Sequence, residues 1–319
     1  MLKRFGQKSI PDGVLAYGEI KDRRALVAIY RDLAREQNLQ FVRCSLPEEK
    51  AYVFKTEVPA LKANETRENI LFQIEENVPL KSTDVVFDYV LLPSRIDMPS
   101  EIREAVVSVF PRNIVDEYVS LYDEVGLIPI SLEMEADALA RALVSRTDSG
   151  CYMIVDFGQQ RTGLSIVERG AVQFTSTVDV GGNLLTAAIA KQYNVSIEEA
   201  EQIKREETFV GHGVHREFFA SLMNSVSALS DEMNRHYVYW HTHSDKKGKK
   251  LPLIQKIILC GGDANLGGLA EHLSLMLKAK VELGNVWTNI LSVEDTIPEI
   301  SFAASLSYAT ALGLSLRDV

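Results

Sequence analysis

The stretch 151–186 carries the most regular hydrophobic pattern in the chain. Residues 152–155 form an unbroken apolar run that ends on Asp156. After the turn at 157–161, Thr162, Leu164 and Ile166 alternate with their neighbours. Glu168-Arg169-Gly170 makes a second turn, and Val172, Phe174 and Ser176 start another alternation. A period of two between turn signals predicts an antiparallel meander of three strands. Gly181-Gly182-Asn183 then leads into residues 184–193, which read as a helix.

Upstream, residues 1–18 with Pro11-Asp12-Gly13 read as a strand or loop edge. From Asp22 onward, Leu26, Ile29, Tyr30 and Leu33 fall on one helical face, with Arg23, Arg31, Arg35 and Glu36 on the other. Phe41, Arg43 and Ser45 alternate up to Leu46-Pro47, and another strand is expected over 51–58. Asn64 or Thr66 is placed to cap a helix presenting Ile70, Leu71, Ile74 and Val78, followed by strands over 85–92 and 104–110. This run, about 41–110, reads as a compact inserted α+β subdomain. Asn113 is placed to cap a helix with Ile114, Tyr118, Leu121, Tyr122 and Val125 inward, and Gly126 supplies its left-handed end. A short strand over 128–132 precedes a helix lined by Leu132, Ala136, Leu139 and Leu143.

Downstream, Ser196 caps a heavily charged helix through Ala200 and Ile203, and Gly211-His212-Gly213 breaks the chain. A long helix over about 216–240 carries Phe219, Leu222, Val226, Leu229, Met233 and Tyr237 at core spacing. An apolar strand over 254–260 runs into a Gly-rich turn at 261–268, and a helix with Leu269, Leu273, Met276 and Leu277 inward follows. Residues 302–316 read as one final helix rich in small residues.

Composition narrows the function. With 319 residues, 46% hydrophobic and 24% charged, the chain suits a soluble globular protein of about two domains. A formal charge of −10 argues against nucleic acid as a general partner, because phosphate neutralisation needs clustered cations. Cys44, Cys151 and Cys260 are scattered in apolar contexts, which suits core residues in a reducing compartment. No signal-peptide pattern and no apolar run long enough to span a bilayer are present, so a cytoplasmic location is expected.

Two turns carry candidate chemistry. A carboxylate leaving a buried strand beside a Gly-bearing hairpin can present Mg²⁺ and main-chain N–H groups to a polyphosphate. Asp156 would hold the metal through water, Gly158 would let the backbone approach, and Thr162 would supply a hydroxyl. The same residues also make an ordinary well-formed hairpin. In the second turn, Gly261-Gly262-Asp263-Ala264-Asn265 lies between a strand and a helix N-terminus, which lets a planar or anionic ligand touch main chain. A tight strand-to-helix turn accounts for it equally well when taken alone. The pair of turns together favours a ligand cleft. His236, His241 and His243 suggest a metal site, because two histidines two apart can share a ligand sphere if extended, but they abut a basic turn and no cysteine or third acidic ligand accompanies them.

These pieces resemble the actin-like (ribonuclease H-like) fold shared by actin, Hsp70, sugar kinases and the cell-division protein FtsA. VDFGQQRTGLSIV resembles the second phosphate motif of that fold and IILCGGDANLGGLAEHL its adenosine motif. Closer still, LPEEKAYVFKTEVP, ENVPLKSTDVVFDYVLL, VDVGGNLLTAAIA, EEAEQIKRE, DEMNRHYVYW, VELGNVWTNI and the terminal ATALGLSLR resemble the PilM family of type IV pilus assembly proteins over nearly the whole chain. The resemblance implies an α/β, two-domain actin-like architecture: a first domain over 1–150 holding the insertion, and a second over 151–319 with a subdomain at about 183–253. It implies ATP and Mg²⁺ as cofactors, with Asp156 at the metal. Gly158, Thr162, Gly181 and Gly182 would lie near the phosphates, Glu201 and Lys204 beside the adenosine, and Gly261, Gly262 and Asn265 on its other side. The partner it implies is the short N-terminal tail of a PilN-like bitopic inner-membrane protein, gripped beside the helix over 67–78, with self-association as the competing use of the insertion.

The family opens with a hairpin of the type G-I-D-I-G-S-x-x-x-K, the first phosphate motif. No such segment stands here, so either the chain is shortened relative to its family or the coding start lies upstream, and weakened ATP affinity of the chain as given is expected. No clear hydrolytic machinery is visible; Glu133 and Glu135 are the candidates for positioning water. An FtsA-like division protein is disfavoured by the lack of a basic amphipathic end, and a sugar-kinase-like phosphotransferase by the lack of a clear carboxylate base.

Overall fold

The computed structural model describes residues 4–93, 99–206, 216–244, 248–290 and 299–317, with side chains between 207 and 221 excepted. Gly211-His212-Gly213, the side chain of Phe219 and part of the basic turn fall outside the described residues. The chain forms two compact units, residues 1–138 with 317–319, and residues 139–316.

The first unit opens with a small hairpin, β1 (Leu15–Ala16) and β2 (Glu19–Ile20). Helix α1 (Arg23–Gln37) follows, its first turn closed by the Asp22 carboxylate accepting from the Ala25 N–H at 3.0 Å. Its face bearing Leu26 and Val27 packs with Leu121 of α3 (Arg112–Val125), and Tyr30 stacks on Tyr122. Gly126, at φ 83°, ends α3 in the left-handed region as expected. Strand β3 (Phe41–Leu46) pairs in parallel with β7 (Ile128–Met134).

Between them lies a separate three-stranded antiparallel sheet in the order β4-β6-β5, formed by Tyr52–Pro59, Ile102–Pro111 and Val85–Leu91. Helix α2 (Ala63–Asn77) covers one face. Val58, Ile70, Ile74, Val78, Val85, Phe87, Ala105, Val107 and Val109 make its core. The start of α2 differs from the sequence expectation. The helix begins at Ala63, so Asn64 and Thr66 lie inside it, and Glu65 reaches back to accept from the Lys62 N–H at 3.3 Å. Likewise Pro111, not Asn113, precedes α3, which suits a proline that has no N–H to satisfy. The apolar stripe also divides differently: Ile70 and Ile74 are fully buried, while Leu71 and Phe72 face out, Phe72 at 81% exposure.

The second unit begins in α4 (Glu135–Leu143) and is built on a five-stranded mixed sheet in the order β10-β9-β8-β11-β12. β8 (Cys151–Phe157), β9 (Thr162–Glu168) and β10 (Ala171–Val178) form the expected antiparallel meander. β11 (Lys256–Cys260) pairs in parallel with β8 and with β12 (Val281–Leu283), a strand too short for its alternation to be read in the sequence. Helices α5 (Gly182–Tyr193), α6 (Ile197–Glu206) and α7 (Arg216–Thr242) pack together after the meander. Ser196 and Glu199 bond each other's N–H at 3.2 and 3.0 Å, a reciprocal cap for α6. Helix α8 (Leu269–Leu277) follows the Gly-rich turn. The tail is not one helix: α9 (Phe302–Ser305) and α10 (Ala309–Ser315) are joined by a 3-10 turn at Leu306–Tyr308.

Truncation of a fully buried residue in the inserted sheet's core and truncation of its exposed neighbour should separate cleanly. Ile74→Ala should cost about 2–5 kcal/mol in urea unfolding, from lost transfer energy plus a cavity. Phe72→Ala should stay within about 0.5 kcal/mol of the wild type. Equal losses would mean that α2 does not pack by the face described.

Candidate functional site

β8 is paired on both sides, and the pairing sets where the two candidate turns meet. Asp156 lies opposite Gly163 on β9 and opposite Cys260 on β11. The hairpin over 158–161 and the Gly-rich turn therefore leave the sheet at one end. Gly158 N–H donates to the carbonyls of Asp156 and Arg161, both at 3.1 Å. Asp263 N–H donates to the Phe157 carbonyl at 3.0 Å, which folds the second turn onto the end of β8.

Gly261 is where this packing is tightest. Its φ is +94°, and a Cβ there would fall 2.4 Å from Asp156 Oδ1 and 2.5 Å from the Phe157 carbonyl oxygen. Only glycine meets both conditions. Asp156 itself is partly exposed, and its carboxylate makes no hydrogen bond or ion pair with any described residue. Burial alone pushes its carboxyl up to about 6.

The start of α5 closes onto the hairpin. Gly182 N–H donates to the Gly158 carbonyl at 3.0 Å, and Asn183 N–H to the Gln159 carbonyl at 2.8 Å. Gly181 lies with its Cα against the main chain of Gln159, Gln160 and Arg161. The expected approach of Gly181 and Gly182 to a phosphate thus takes a different form: the first amides of this helix are spent on the hairpin. Thr162 is fully buried and its hydroxyl donates to the Val180 carbonyl at 2.5 Å, bracing β9 against the residues that lead into α5.

α6 supplies the charged part of the site. Lys204 is 5% exposed, and its ammonium contacts Asp263 Oδ1 at 2.5 Å, Glu201 Oε2 at 2.8 Å and Thr186 Oγ1 at 3.0 Å. The Gly182 carbonyl lies at 3.4 Å. Thr186 also donates to Glu201 at 2.8 Å. Burial raises the Glu201 carboxyl, but bonds from Lys204, Thr186 and Arg205 outweigh it and leave it below its ordinary value. For Asp263 burial prevails, against the opposing pull of Lys204, and the carboxyl stays raised.

The structure therefore brings Asp156, Gly158, Gly181, Gly182, Glu201, Lys204 and Gly261 into one locus of the second unit. Gly262 and Asn265 lie exposed on the second turn. Sequence reasoning read that turn for its glycines and Asn265 and missed Asp263 and Thr186. The available signal was a charged residue inside a Gly-rich turn that directly follows a buried strand. Glu133 belongs to the first unit, where it is buried and takes Arg317 Nη1 at 3.0 Å; Glu135 opens α4 in the same unit. The three histidines are dispersed in role. His241 Nε2 accepts from the Ile254 N–H, His243 stacks on Tyr239, and His236 packs against Phe174.

The fold has known counterparts. The family model described as type IV pilus assembly protein PilM matches residues 1–319. The chain belongs to the PilM family. Among solved structures, the PilM–PilN type IV pilus biogenesis complex superposes with a TM-score of 0.77 at 20% identity, covering 97% of this chain and 89% of that one. Ethanolamine utilization protein EutJ from Carboxydothermus hydrogenoformans gives 0.54 at 18% identity, and MreB5 of Spiroplasma citri bound to ADP gives 0.55 at 13%. Each covers 95% of this chain and 77% of its own. These likenesses show an actin-like fold. A curated relative, EutJ of Escherichia coli (strain K12), is 32% identical over 118 residues, which is 37% of this chain; the match spans 36% of that relative's length.

Measured against the nucleotide that MreB5 carries, the PilM-family chain fits in one respect and resists in another. An unpartnered carboxylate at a strand end, with burial already opposing its charge, suits a divalent cation. The first amides of α5 and the Lys204 ammonium are committed within the chain.

The isolated Asp156 carboxyl has a pH signature in metal-free protein. Its folded value of about 6 lies above the unfolded range of about 3.9, so the folded state holds the proton more tightly. Its contribution is fully present below about pH 4 and is lost as pH rises through about 6. Asp156→Asn should match the wild type at pH 4 and exceed it in stability at pH 7.5, measured by urea unfolding in chelator. Parallel pH dependences would show that the carboxyl titrates normally.

Proposed function

We propose that this PilM-family chain is a nucleotide-binding scaffold of type IV pilus assembly. It works at the inner face of the cytoplasmic membrane, where the short N-terminal tail of a PilN-like bitopic protein recruits it. The observation that carries this reading is the inserted sheet. β5 is an edge strand with one row of main-chain groups unpaired by the sheet, and it exposes Val90 at 56% and Leu91 at 45%. Phe72 stands out on α2 of the same subdomain. An edge strand and a large exposed aromatic are what an extended peptide uses: main-chain bonds give affinity and side-chain pockets give register. The described residues named around Asp156 and Lys204 belong to the second unit, and this sheet to the first. No described helix is long and apolar enough to cross a membrane, which is consistent with attachment through a partner.

In this reading Asp156 holds Mg²⁺ through water when nucleotide is bound, and the exposed residues Gln159 and Gly262 meet the ligand. Glu201 and Lys204 border it. No hydrolytic step is assigned, because Glu133 is held by Arg317.

Two measurements test the two halves. A labelled peptide with the N-terminal tail sequence of the cognate PilN-like protein should bind the folded chain, and Phe72→Glu should weaken binding at least tenfold, about 1.4 kcal/mol. Absence of binding together with concentration-dependent self-association would mean that the insertion packs copies of this chain together. For the cleft, Asp156→Ala should abolish the Mg²⁺-dependent part of ATP affinity in calorimetry while leaving the fold intact. Equal affinities with and without the carboxylate would remove Asp156 from the site.

A further inference from the structure

The second turn places a carboxylate against the first turn of α5. A Cβ built on Gly182 would fall 2.1 Å from both Cγ and Oδ2 of Asp263 and 2.3 Å from its Oδ1. The Asp263 carboxylate therefore rests directly on the Gly182 main chain and fills the gap between the first turn of α5 and the turn after β11. It is held there by Lys204 at 2.5 Å.

Lys204 has three ammonium hydrogens to give. Asp263, Glu201 and Thr186 stand within 3.0 Å of its nitrogen, so nothing is left over for a ligand. The neighbouring amides of Gly182 and Asn183 face the carbonyls of Gly158 and Gln159. The strongest cation and the helix N-terminus at this locus thus both serve groups of the chain itself. Glu201 keeps a second carboxylate on Lys204, and Arg205, 76% exposed, pairs with Glu201.

We propose that Asp263 sets the affinity of this cleft, acting as an internal competitor that a nucleoside phosphate must displace from Lys204 and from the space above Gly182. The inference rests on the nucleotide reading of the cleft. It makes Asp263 a specificity-determining residue rather than a ligand. Removing its carboxylate opens the gap and returns one Lys204 hydrogen to an incoming hydroxyl or phosphate oxygen. Lys204 remains compensated by Glu201, so the buried ammonium is not stranded.

The test uses the full chain and a fluorescent ADP analogue with Mg²⁺. Asp263→Ser should bind at least tenfold more tightly than the wild type, and the equal-sized Asp263→Asn, which loses the charge but still fills the gap, more tightly by a smaller factor, with folding checked by circular dichroism and thermal unfolding. Adding Lys204→Met to either should cancel the gain, which a mere loosening of the turn would not predict. Folded variants that bind no more tightly than a binding wild type would overturn the proposal and leave the nucleotide reading standing, as would a gain that survives Lys204→Met. If neither wild type nor variants bind at millimolar analogue, both the competitor role and the nucleotide reading fall.

Discussion

The pairing of β8 on both edges is the constraint on which the rest of the second unit depends. A strand buried in the middle of a sheet has to satisfy its main chain on two sides. Here one side is antiparallel to β9 and the other parallel to β11. An antiparallel neighbour is reached by a short hairpin at one end, and a parallel neighbour is entered only after a long crossover. The hairpin leaves from the carboxyl end of β8, and β11 ends beside the same residue. Asp156 is therefore bracketed by two turns for reasons of backbone pairing, before any side chain is considered. The Asp263 amide on the Phe157 carbonyl and the Gly182 amide on the Gly158 carbonyl then draw the Gly-rich turn and α5 to that point.

A second constraint acts through Lys204. A buried ammonium costs several kcal/mol unless its charge and hydrogens are met. Three acceptors from three segments meet it: Glu201 from its own helix, Thr186 from α5 and Asp263 from the turn after β11. The demand of one cation thus ties α6 to α5 and to the sheet. The same demand removes that cation from the solvent-facing chemistry of the cleft. Exposed pairs such as Arg205–Glu201 add little by comparison, since water screens them and flexible side chains lose entropy in forming them.

Much of this was legible in the sequence where one local rule decides the outcome. The meander follows from strict alternation in Thr162, Leu164 and Ile166, the end of α3 from Gly126, and the start of α6 from Ser196. Where two rules compete, reading failed. Asn64 and Thr66 are good cap residues, yet the chain leaves Pro59 in a geometry that starts α2 at Ala63, and Thr66 is buried inside it. Ile70, Leu71 and Ile74 looked like one apolar face, but only the members at four-residue spacing reach the core, and Leu71 does not. The short β12 offers too few residues for periodicity to register. Asp263 was hidden for another reason: its role depends on Lys204, 59 positions away in sequence order, and no local pattern encodes that meeting.

Asp156 and Lys204 show opposite solutions to charge burial, and the difference bears on what the cleft is for. Structural ion pairs are closed: each charge has its counter-charge within the chain, as Lys204 has. A structural carboxylate would be expected to follow suit, because an unpaired one is held against its own ionisation by desolvation. Asp156 carries that penalty with no partner among the described residues, while cations elsewhere in the same unit are paired on the surface, as Lys256 and Lys280 are with Glu282. A penalty left uncompensated at the mouth of two converging turns is a position where an external cation gains most by binding. The network around Lys204 works in the other direction, filling the adjoining space with groups of the chain. Under the proposed nucleotide reading, the two together would leave the Asp156 carboxylate available to a metal and the neighbouring anion position occupied by the chain, so ligand affinity would depend on how strongly the chain competes for its own lysine.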